Sequence, residues 1–337
     1  MSANGLDERL VASATDGDGA AFSALAERHR RELQVHAYRM LGSLEDAQDA
    51  VQDALLRAWR SRATYDGRST FRAWLYRITT NACLRMLERR PRRVGPYDAG
   101  PAAARGALPE PPADLPWLQP YPDRLLDEGP EPVDVVVERE TIELAFLAAI
   151  QHLPPRQRAV LILRDALDWS ADETAAVLEM SVAAANSALQ RARATLHERL
   201  PAARLEWATA ADAQEAERSL LETYISAWER RDPSRLVALL REDVRMAMPP
   251  HPTWYEGRDA VLAFLAERAF APAASMHRFV PTRANRQPAF GVYRGDGAEA
   301  AAFAIHVVGI EDGLVTDLHW FLYNELFPAF GLPDTLT

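Results

Sequence analysis

The sequence predicts a multidomain chain: two all-α modules followed by an α+β domain. Three observations carry that expectation. Up to about residue 200, apolar residues recur at three- and four-residue spacing, the pattern of amphipathic helices. From about residue 276 they alternate with period two between glycine-bearing turns. Eleven of the 23 prolines fall between Pro91 and Pro132, a density that forbids helix and sheet and sets an extended tether between the helical modules. At 337 residues the chain is long enough for two or three separate cores. The expected boundaries are 1–93, 94–137, 138–200 and 201–337.

Charge is distributed unevenly over these segments. The net formal charge of −10 argues against a chain coated in nucleic acid. Residues 21–93 nevertheless carry a local +7, while 94–137 and 201–337 each carry −6. A basic module tethered to acidic ones binds phosphates through its own local field. All 38 cationic residues are Arg, which beside so much Ala fits a GC-rich coding bias and carries no functional weight. The single Cys83 makes no internal disulfide and suits a reducing cytoplasm. The acidic, polar start has no signal-peptide character, and no apolar run approaches a membrane span. The expectation is a soluble cytoplasmic protein with no membrane partner.

Taken in order, Ala21 to Leu41 reads as one amphipathic helix, with Phe22, Leu25, His29, Leu33 and His36 or Ala37 near one face. Gly42 stops it and Ser43 caps the next. That helix, Ser43 to Arg60, carries Asp46, Asp49 and Asp53 at i, i+3 and i+7, opposite Val51, Leu55 and Trp59. A solvated face is the ordinary meaning of such a stripe. Acids in the middle turns do not serve the helix dipole, however, and a stripe of one sign also suits a basic partner helix. The loop SRATYDGRST follows, turning at Asp66-Gly67. Its Tyr65, Arg68 and Ser69 supply the aromatic face, guanidinium and hydroxyl needed to stack on and hydrogen-bond an extruded base.

From Ser69 to Arg93, Phe71, Trp74, Leu75, Ile78 and Ala82 fall on one helical face. Arg77 and Asn81 project side by side on one flank. Arg85, Arg89, Arg90, Arg92 and Arg93 make a cationic end that Pro91 terminates. A buried stripe, a polar flank and a cationic end describe a helix laid on a nucleic-acid strand. The alternative is a core helix with a solvated arginine end.

The run EDAQDAVQDALLRAWR, then YDGRSTFRAWLYRITTNACLRML, resembles conserved region 2 of bacterial extracytoplasmic-function (ECF) sigma factors with matching spacings. The resemblance implies that the acidic helix docks on the clamp helices of the RNA polymerase β′ subunit, with Asp46, Asp49, Gln52 and Asp53 at that contact. It implies that the loop and following helix melt the −10 element and hold the non-template strand. Tyr65, Arg68, Ser69, Arg77, Thr80 and Asn81 would lie near that strand, with Phe71 and Trp74 as support.

In the tether, LPWLQPYPD (Leu115 to Asp123) exposes Trp117, Leu118 and Tyr121, which a disordered linker normally lacks. Either this strip docks on a neighbouring domain or it follows a channel in a partner. The resemblance implies a path through the polymerase cleft, which an acidic chain suits.

Two helices, Glu138 to Gln151 and Pro154 to Leu167, precede a helix-turn-helix pattern. Ser170 caps a short helix through Val177 and Leu178, Glu179 and Met180 turn, and Ser181 caps a second helix through Leu196. Val182, Ala185, Leu189 and Leu196 form its inward stripe, and Asn186, Ser187, Gln190, Arg191 and Arg193 its outward side. Asn and Gln read adenine edges, Arg reads guanine or holds phosphate, and Ser does either. The phrase LPPRQRAVLILRDALDWSADETAAVLEMSVAAANSALQRARATL resembles sigma region 4, which implies −35 recognition and the polymerase β flap as a partner. Asn186 and Ala188 stand where that family is often basic, so base preference does not transfer.

The last segment opens with helices, Ala213 to Arg231 and one from Asp232-Pro233 to near Leu240. Val244, Met246 and Met248 then alternate as a strand, Arg258 to Ala269 is helical, and four period-two stretches follow: 276–283, 289–294, 300–309 and 314–323. Gly295-Asp296-Gly297 and Asp312-Gly313 mark hairpins. Helices followed by a curved antiparallel sheet make an α+β cone. With YEGRDAVLAFL and the closing FGLP, this order resembles SnoaL-like domains of the nuclear-transport-factor-two superfamily, which includes ketosteroid isomerase. Met246, Met248, Trp254, His306, His319 and Trp320 are candidate pocket residues for a small ligand. An isomerase-like site needs a carboxylate base near a hydrogen-bonding acid, and Asp317 with His319 is the conceivable pair. A strand histidine is more often structural.

The expected function is therefore a sigma factor that binds RNA polymerase core and promoter DNA, with a C-terminal regulatory domain. No catalysis, cofactor or metal is expected. The alternative is a stand-alone helix-turn-helix regulator with a ligand-sensing or enzymatic tail.

Overall fold

The structure, a computed structural model, describes residues 3–103, 115–126, 142–199, 210–271, 274–295 and 298–337. It divides into two compact units: Met1–Arg93 with Leu125–Pro201, and Val94–Arg124 with Ala202–Thr337. The helix expected from Glu138 lies partly outside the described residues, as does the tip of the 295–297 hairpin.

The first unit is all-α. Its described helices are α1 (Ala3–Thr15), α2 (Gly19–Leu41), α3 (Leu44–Ser61), α4 (Phe71–Arg89), α5 (Leu144–Gln151), α6 (Pro155–Leu161), α7 (Ala171–Val177) and α8 (Val182–Arg199). Local chemistry sets their ends. Gly42 takes φ 68° and returns its N–H to the Tyr38 carbonyl, closing α2. The Ser43 hydroxyl accepts from the Asp46 N–H to open α3, and Thr70 does the same for α4 at Ala73. Ser170 and Glu173 form a capping box at α7. Helix α4 packs against α2 and α3 on one side and α6 and α7 on another. It therefore buries Tyr76, Thr79, Thr80 and Cys83 in addition to the Phe71–Trp74–Leu75 stripe.

The two helical modules expected from the sequence thus share one unit. Trp169 packs on Tyr76 with ring centroids 5.0 Å apart. Buried Arg158 donates to the Gln151 side chain at 2.7 Å and the Gln151 carbonyl at 2.8 Å, and also to the Met40 carbonyl at the end of α2. Burial pushes its guanidinium down to about 10. A buried charge whose two terminal nitrogens are held by carbonyl oxygens fixes the position of α6 against α2.

The second unit is α+β. After α9 (Ala210–Glu229) and α10 (Pro233–Leu239) come β1 (Leu240–Ala247), β2 (Trp254–Glu256), α11 (Arg258–Arg268), β3 (Met276–Ala284), β4 (Gln287–Gly295), β5 (Ala300–Glu311), β6 (Leu314–Phe321), α12 (Phe327–Phe330) and β7 (Thr335–Leu336). The strands form one mixed sheet in the order β2-β1-β6-β5-β4-β3, with β7 pairing β5. Only β1 and β6 run parallel among the described pairs. Asp312-Gly313 turns between β5 and β6 with both φ positive, and Asn285-Arg286 does so between β3 and β4 without a glycine.

Register decides which residues share a face. Met246 pairs with Leu318, and His306 with Trp320, so these point to the face covered by α9 and α11. Arg245 pairs with Asp317, Ala247 with both Trp254 and His319, and these take the opposite, outer face. The tether covers that outer face. Its two described stretches pair with each other through Val94 N–H to the Pro116 carbonyl (2.7 Å) and Leu118 N–H to the Val94 carbonyl (2.9 Å). Ala103 N–H then donates to the Trp254 carbonyl at 2.8 Å. Asn285 holds the far end: its N–H donates to the Tyr121 carbonyl (2.9 Å) and its Oδ1 accepts from the Tyr121 N–H (2.8 Å).

Trp117, Leu118 and Tyr121 are consequently buried, the arrangement of the docking alternative. The physical reason is size. Each large apolar side chain gains about 1.5–3 kcal/mol on leaving water, enough to offset the ordering of a stiff proline-rich strip.

Candidate nucleic-acid interface

Helix α3 presents a mixed face. Asp49 and Gln52 are exposed, and Asp53 is half-buried, bonded to Arg57 at 2.7 Å and 3.9 Å from Arg85. Asp46 departs from the expected stripe. It is buried, its carboxylate ion-paired with Arg90 and Arg93, so it anchors the end of α4 and is not presented to a partner. Part of the expected cationic end is spent on that contact. Leu56, 50 % exposed and one turn beyond Gln52, joins the face instead. Sequence reasoning missed it, although its i+4 spacing from Gln52 was the available signal.

The loop beyond α3 is braced. The Tyr65 hydroxyl donates to the Ser69 carbonyl at 2.7 Å, and its ring packs 5.7 Å from Phe71 and 5.5 Å from Trp74. Gly67 takes φ 72° at the turn, and the Asp66 carboxylate accepts from the Arg68 N–H (3.1 Å) and Nε (2.5 Å). The Arg68 side chain is still 88 % exposed, and Ser69 lies beside it at the surface. On α4, Arg77 and Asn81 are half-buried on one flank. Thr80 is not with them. It is fully buried, with its hydroxyl 2.8 Å from His36 Nε2. The second buried face of α4, invisible to a single-stripe reading, removes it from any strand. Burial pushes His36 down to about 3, so this contact is made by a neutral imidazole.

Helix α8 opens at Ser181, whose hydroxyl accepts from the Ala184 N–H at 3.1 Å, after a turn with Glu179 at φ 52°. Asn186, Ser187, Gln190 and Arg191 are exposed together. Arg193 is exposed too, but its guanidinium is clamped on Asp165 by two bonds of 2.9 and 2.7 Å. Ala188 is buried with Ala185, Leu189 and Ala192, whereas Val182, expected inward, is exposed. Ala188 and Ala192 extend the buried stripe beyond the expected positions.

In the second unit the expected pocket residues separate. Met246 and Met248 line a cavity on the helix-covered face of the sheet, together with Trp320. Trp254 and His319 sit on the outer face, packed 5.3 and 5.2 Å from the Tyr97 ring of the tether. His306 is fully buried behind the cavity. Its Nε2 lies 2.9 Å from the Tyr224 hydroxyl, its Nδ1 3.1 Å from the His319 carbonyl, and its ring stacks on Trp320 at 4.0 Å. Burial pushes it down to about 3. Asp317 faces the tether, accepting from the Tyr97 hydroxyl (3.0 Å) and Arg245 (2.7 Å). The Asp317–His319 pair is thus on the wrong face for acid–base work in the cavity, and no Asp or Glu is among the described residues lining it. Among the described residues there is no cluster suited to a metal ion, and no helix is long and apolar enough to cross a membrane.

Comparison with known proteins follows the same division. The Sigma-70 region 2 family matches residues 25–93, Sigma-70 region 4 matches 143–196, and the SnoaL-like domain matches 221–318. SigG of Mycobacterium tuberculosis H37Rv, an ECF RNA polymerase sigma factor, is 43 % identical over 317 residues, 94 % of this chain and 85 % of that protein. SigM of the same strain is 32 % identical over 190 residues, 56 % of this chain and 82 % of that protein. The crystal structure of the M. tuberculosis ECF sigma factor SigJ aligns with a TM-score of 0.57 over 92 % of this chain and all of that chain, at 24 % identity, a likeness of fold.

Proposed function

The chain belongs to the ECF sigma factors of RNA polymerase, and from that premise we propose how its own residues divide the work. The exposed face of α3, Asp49, Gln52 and Asp53 with Leu56 at its centre, meets the β′ clamp helices. The second helical module meets the β flap. Tyr65, Arg68, Ser69, Arg77 and Asn81 hold the unpaired −10 strand, and Asn186, Ser187, Gln190 and Arg191 read the −35 duplex. The protein positions polymerase and performs no covalent chemistry.

The observation that carries this reading is the braced loop: an aromatic ring locked against Phe71 and Trp74 beside an exposed guanidinium and hydroxyl. A rigid stacking platform with polar groups at its edge is what capture of a splayed base requires. A stand-alone helix-turn-helix regulator would give this loop and the α3 face no task.

Asn81→Ala and Arg68→Ala should therefore lower open-complex formation more than initial promoter binding. Arg191→Ala should instead weaken −35 duplex binding by roughly 1–3 kcal/mol. Permanganate reactivity of the melted strand, set beside gel-shift affinity for the closed complex, separates the two classes. Equal effects of all three variants on both readouts contradict the assignment.

The SnoaL-like domain acts in cis through the tether. Residues 94–124 belong to its compact unit, held by Tyr97, Tyr121 and Asp123. In ECF sigma factors the corresponding segment runs into the polymerase cleft, so a domain that holds it influences when it is released.

A further inference from the structure

The helix-covered face of the sheet in the second unit, with α9 and α11, borders a cavity of about 460 Å³, within the range of small-molecule sites. Trp228, Met246, Met248, Phe264, Phe303 and Trp320 supply an aromatic and thioether wall. Such a wall accepts flat apolar bodies, and methionine adapts to their outline.

Its polar lining is Ser275, His251, His277 and two arginines, so its permanently charged groups are all cationic. Arg268 and Arg294 also line the cavity, both exposed, and neither makes an ion pair with a described residue. Arg294 lies over the ring of Phe303, another lining residue, at 4.5 Å, which holds its guanidinium at the cavity wall. No described lining residue is acidic, although residues 201–337 carry a net −6. His277 completes the wall in its neutral form, since burial and then the Arg294 charge push it down to about 4. Deeper in, Trp320 is only 4 % exposed, and its indole N–H is buried with no acceptor. A buried donor left unpaired is costly, and an oxygen brought by a ligand removes that cost.

We propose that this cavity binds an amphipathic organic anion: an aromatic or alkyl body lodged among the Met, Phe and Trp side chains, with its anionic group at Arg268 and Arg294 and an oxygen within reach of the Trp320 N–H. The arginines select charge and the wall selects apolar bulk. The site is distinct from the tether contact, which lies across the sheet, yet β6 serves both: Trp320 faces the cavity while Asp317 and His319 face the tether.

A matched pair of fluorescent probes tests this on the full chain without polymerase or DNA: 1-anilinonaphthalene-8-sulfonate and its neutral parent, N-phenyl-1-naphthylamine. The anionic probe is expected to saturate at one equivalent and bind at least about tenfold tighter than the neutral one, with decanoate displacing it. Arg268→Gln with Arg294→Gln, both at exposed positions, should bring the anionic probe down to the neutral probe's affinity and leave the neutral probe unchanged. Equal binding of the two probes by the unaltered chain overturns the proposal. So does a preference that survives the double substitution, or the absence of saturable binding. Because polymerase is not in the experiment, any of these results leaves the sigma-factor assignment standing.

Discussion

Replacing Asp49 and Asp53 together by Arg is expected to abolish binding to core polymerase while leaving the fold intact. Asp49 is exposed, and Asp53 bonds Arg57 at 2.7 Å across a half-exposed surface. Surface pairs of that kind contribute about 0–1 kcal/mol, so the thermal unfolding midpoint should barely move. Binding should respond strongly, because two attractive charges become two repulsive ones at the face proposed to meet a basic helix pair. Like charges brought together across an interface cost several kcal/mol, so a loss of a hundredfold or more is expected in a pull-down or titration with core enzyme. Asp46→Asn is the instructive contrast. With Asp46 tied to Arg90 and Arg93, its replacement should loosen the α3–α4 junction and lower stability instead of removing a partner contact. Wild-type core affinity in the Asp49/Asp53 double variant would remove the reason for reading α3 as an interface.

The second large effect is expected at the tether. Trp117 and Tyr121 are buried, so changing them to serine would unfold part of the domain and confuse the result. Gentler changes release the strip. Asn285→Gly keeps the left-handed φ of 57° that the turn needs while deleting the Oδ1 that holds the Tyr121 N–H. Tyr97→Phe deletes the hydroxyl donated to Asp317 and leaves the ring under Arg245, 4.3 Å away. Docking within one chain needs little contact energy, because tethering keeps the effective concentration in the millimolar range. Losing two hydrogen bonds therefore shifts the docked population substantially. The double variant should be cut faster by protease between residues 94 and 124, and its transcription should change several-fold with core affinity retained. Faster cleavage with unchanged transcription would separate tether docking from regulation.

The sequence is most legible where structure is set by neighbours in the chain. Gly42 and Ser43, the Ser170 and Ser181 caps and the Asp312-Gly313 turn are all legible, because caps and turns are decided within a few residues. The period-two stretches located the main strands for the same reason. What escaped depends on tertiary partners. Thr80 lies on a polar flank by spacing, but α4 is covered on two sides. Asp46 is one of three acids by spacing, but only it lies within reach of Arg90 and Arg93. Sequence places His306 and His319 in one pocket, yet the β5–β6 register opposes His306 to Trp320 and turns His319 outward. A one-residue difference in parity moves a side chain across the sheet, and strand spacing alone does not give the register. The tether's docking was legible only as an alternative, from aromatic residues where a plain linker has none. The exposed Leu56, at a position that patterning assigned no role, came from the structure.

The most direct test is run-off transcription with purified core polymerase on the DNA upstream of this protein's own gene, with and without the full chain. The account predicts a discrete transcript that appears only when the chain is added and is lost with the Asp49→Arg/Asp53→Arg variant. A transcript independent of the chain, or one undiminished by that variant, would contradict it.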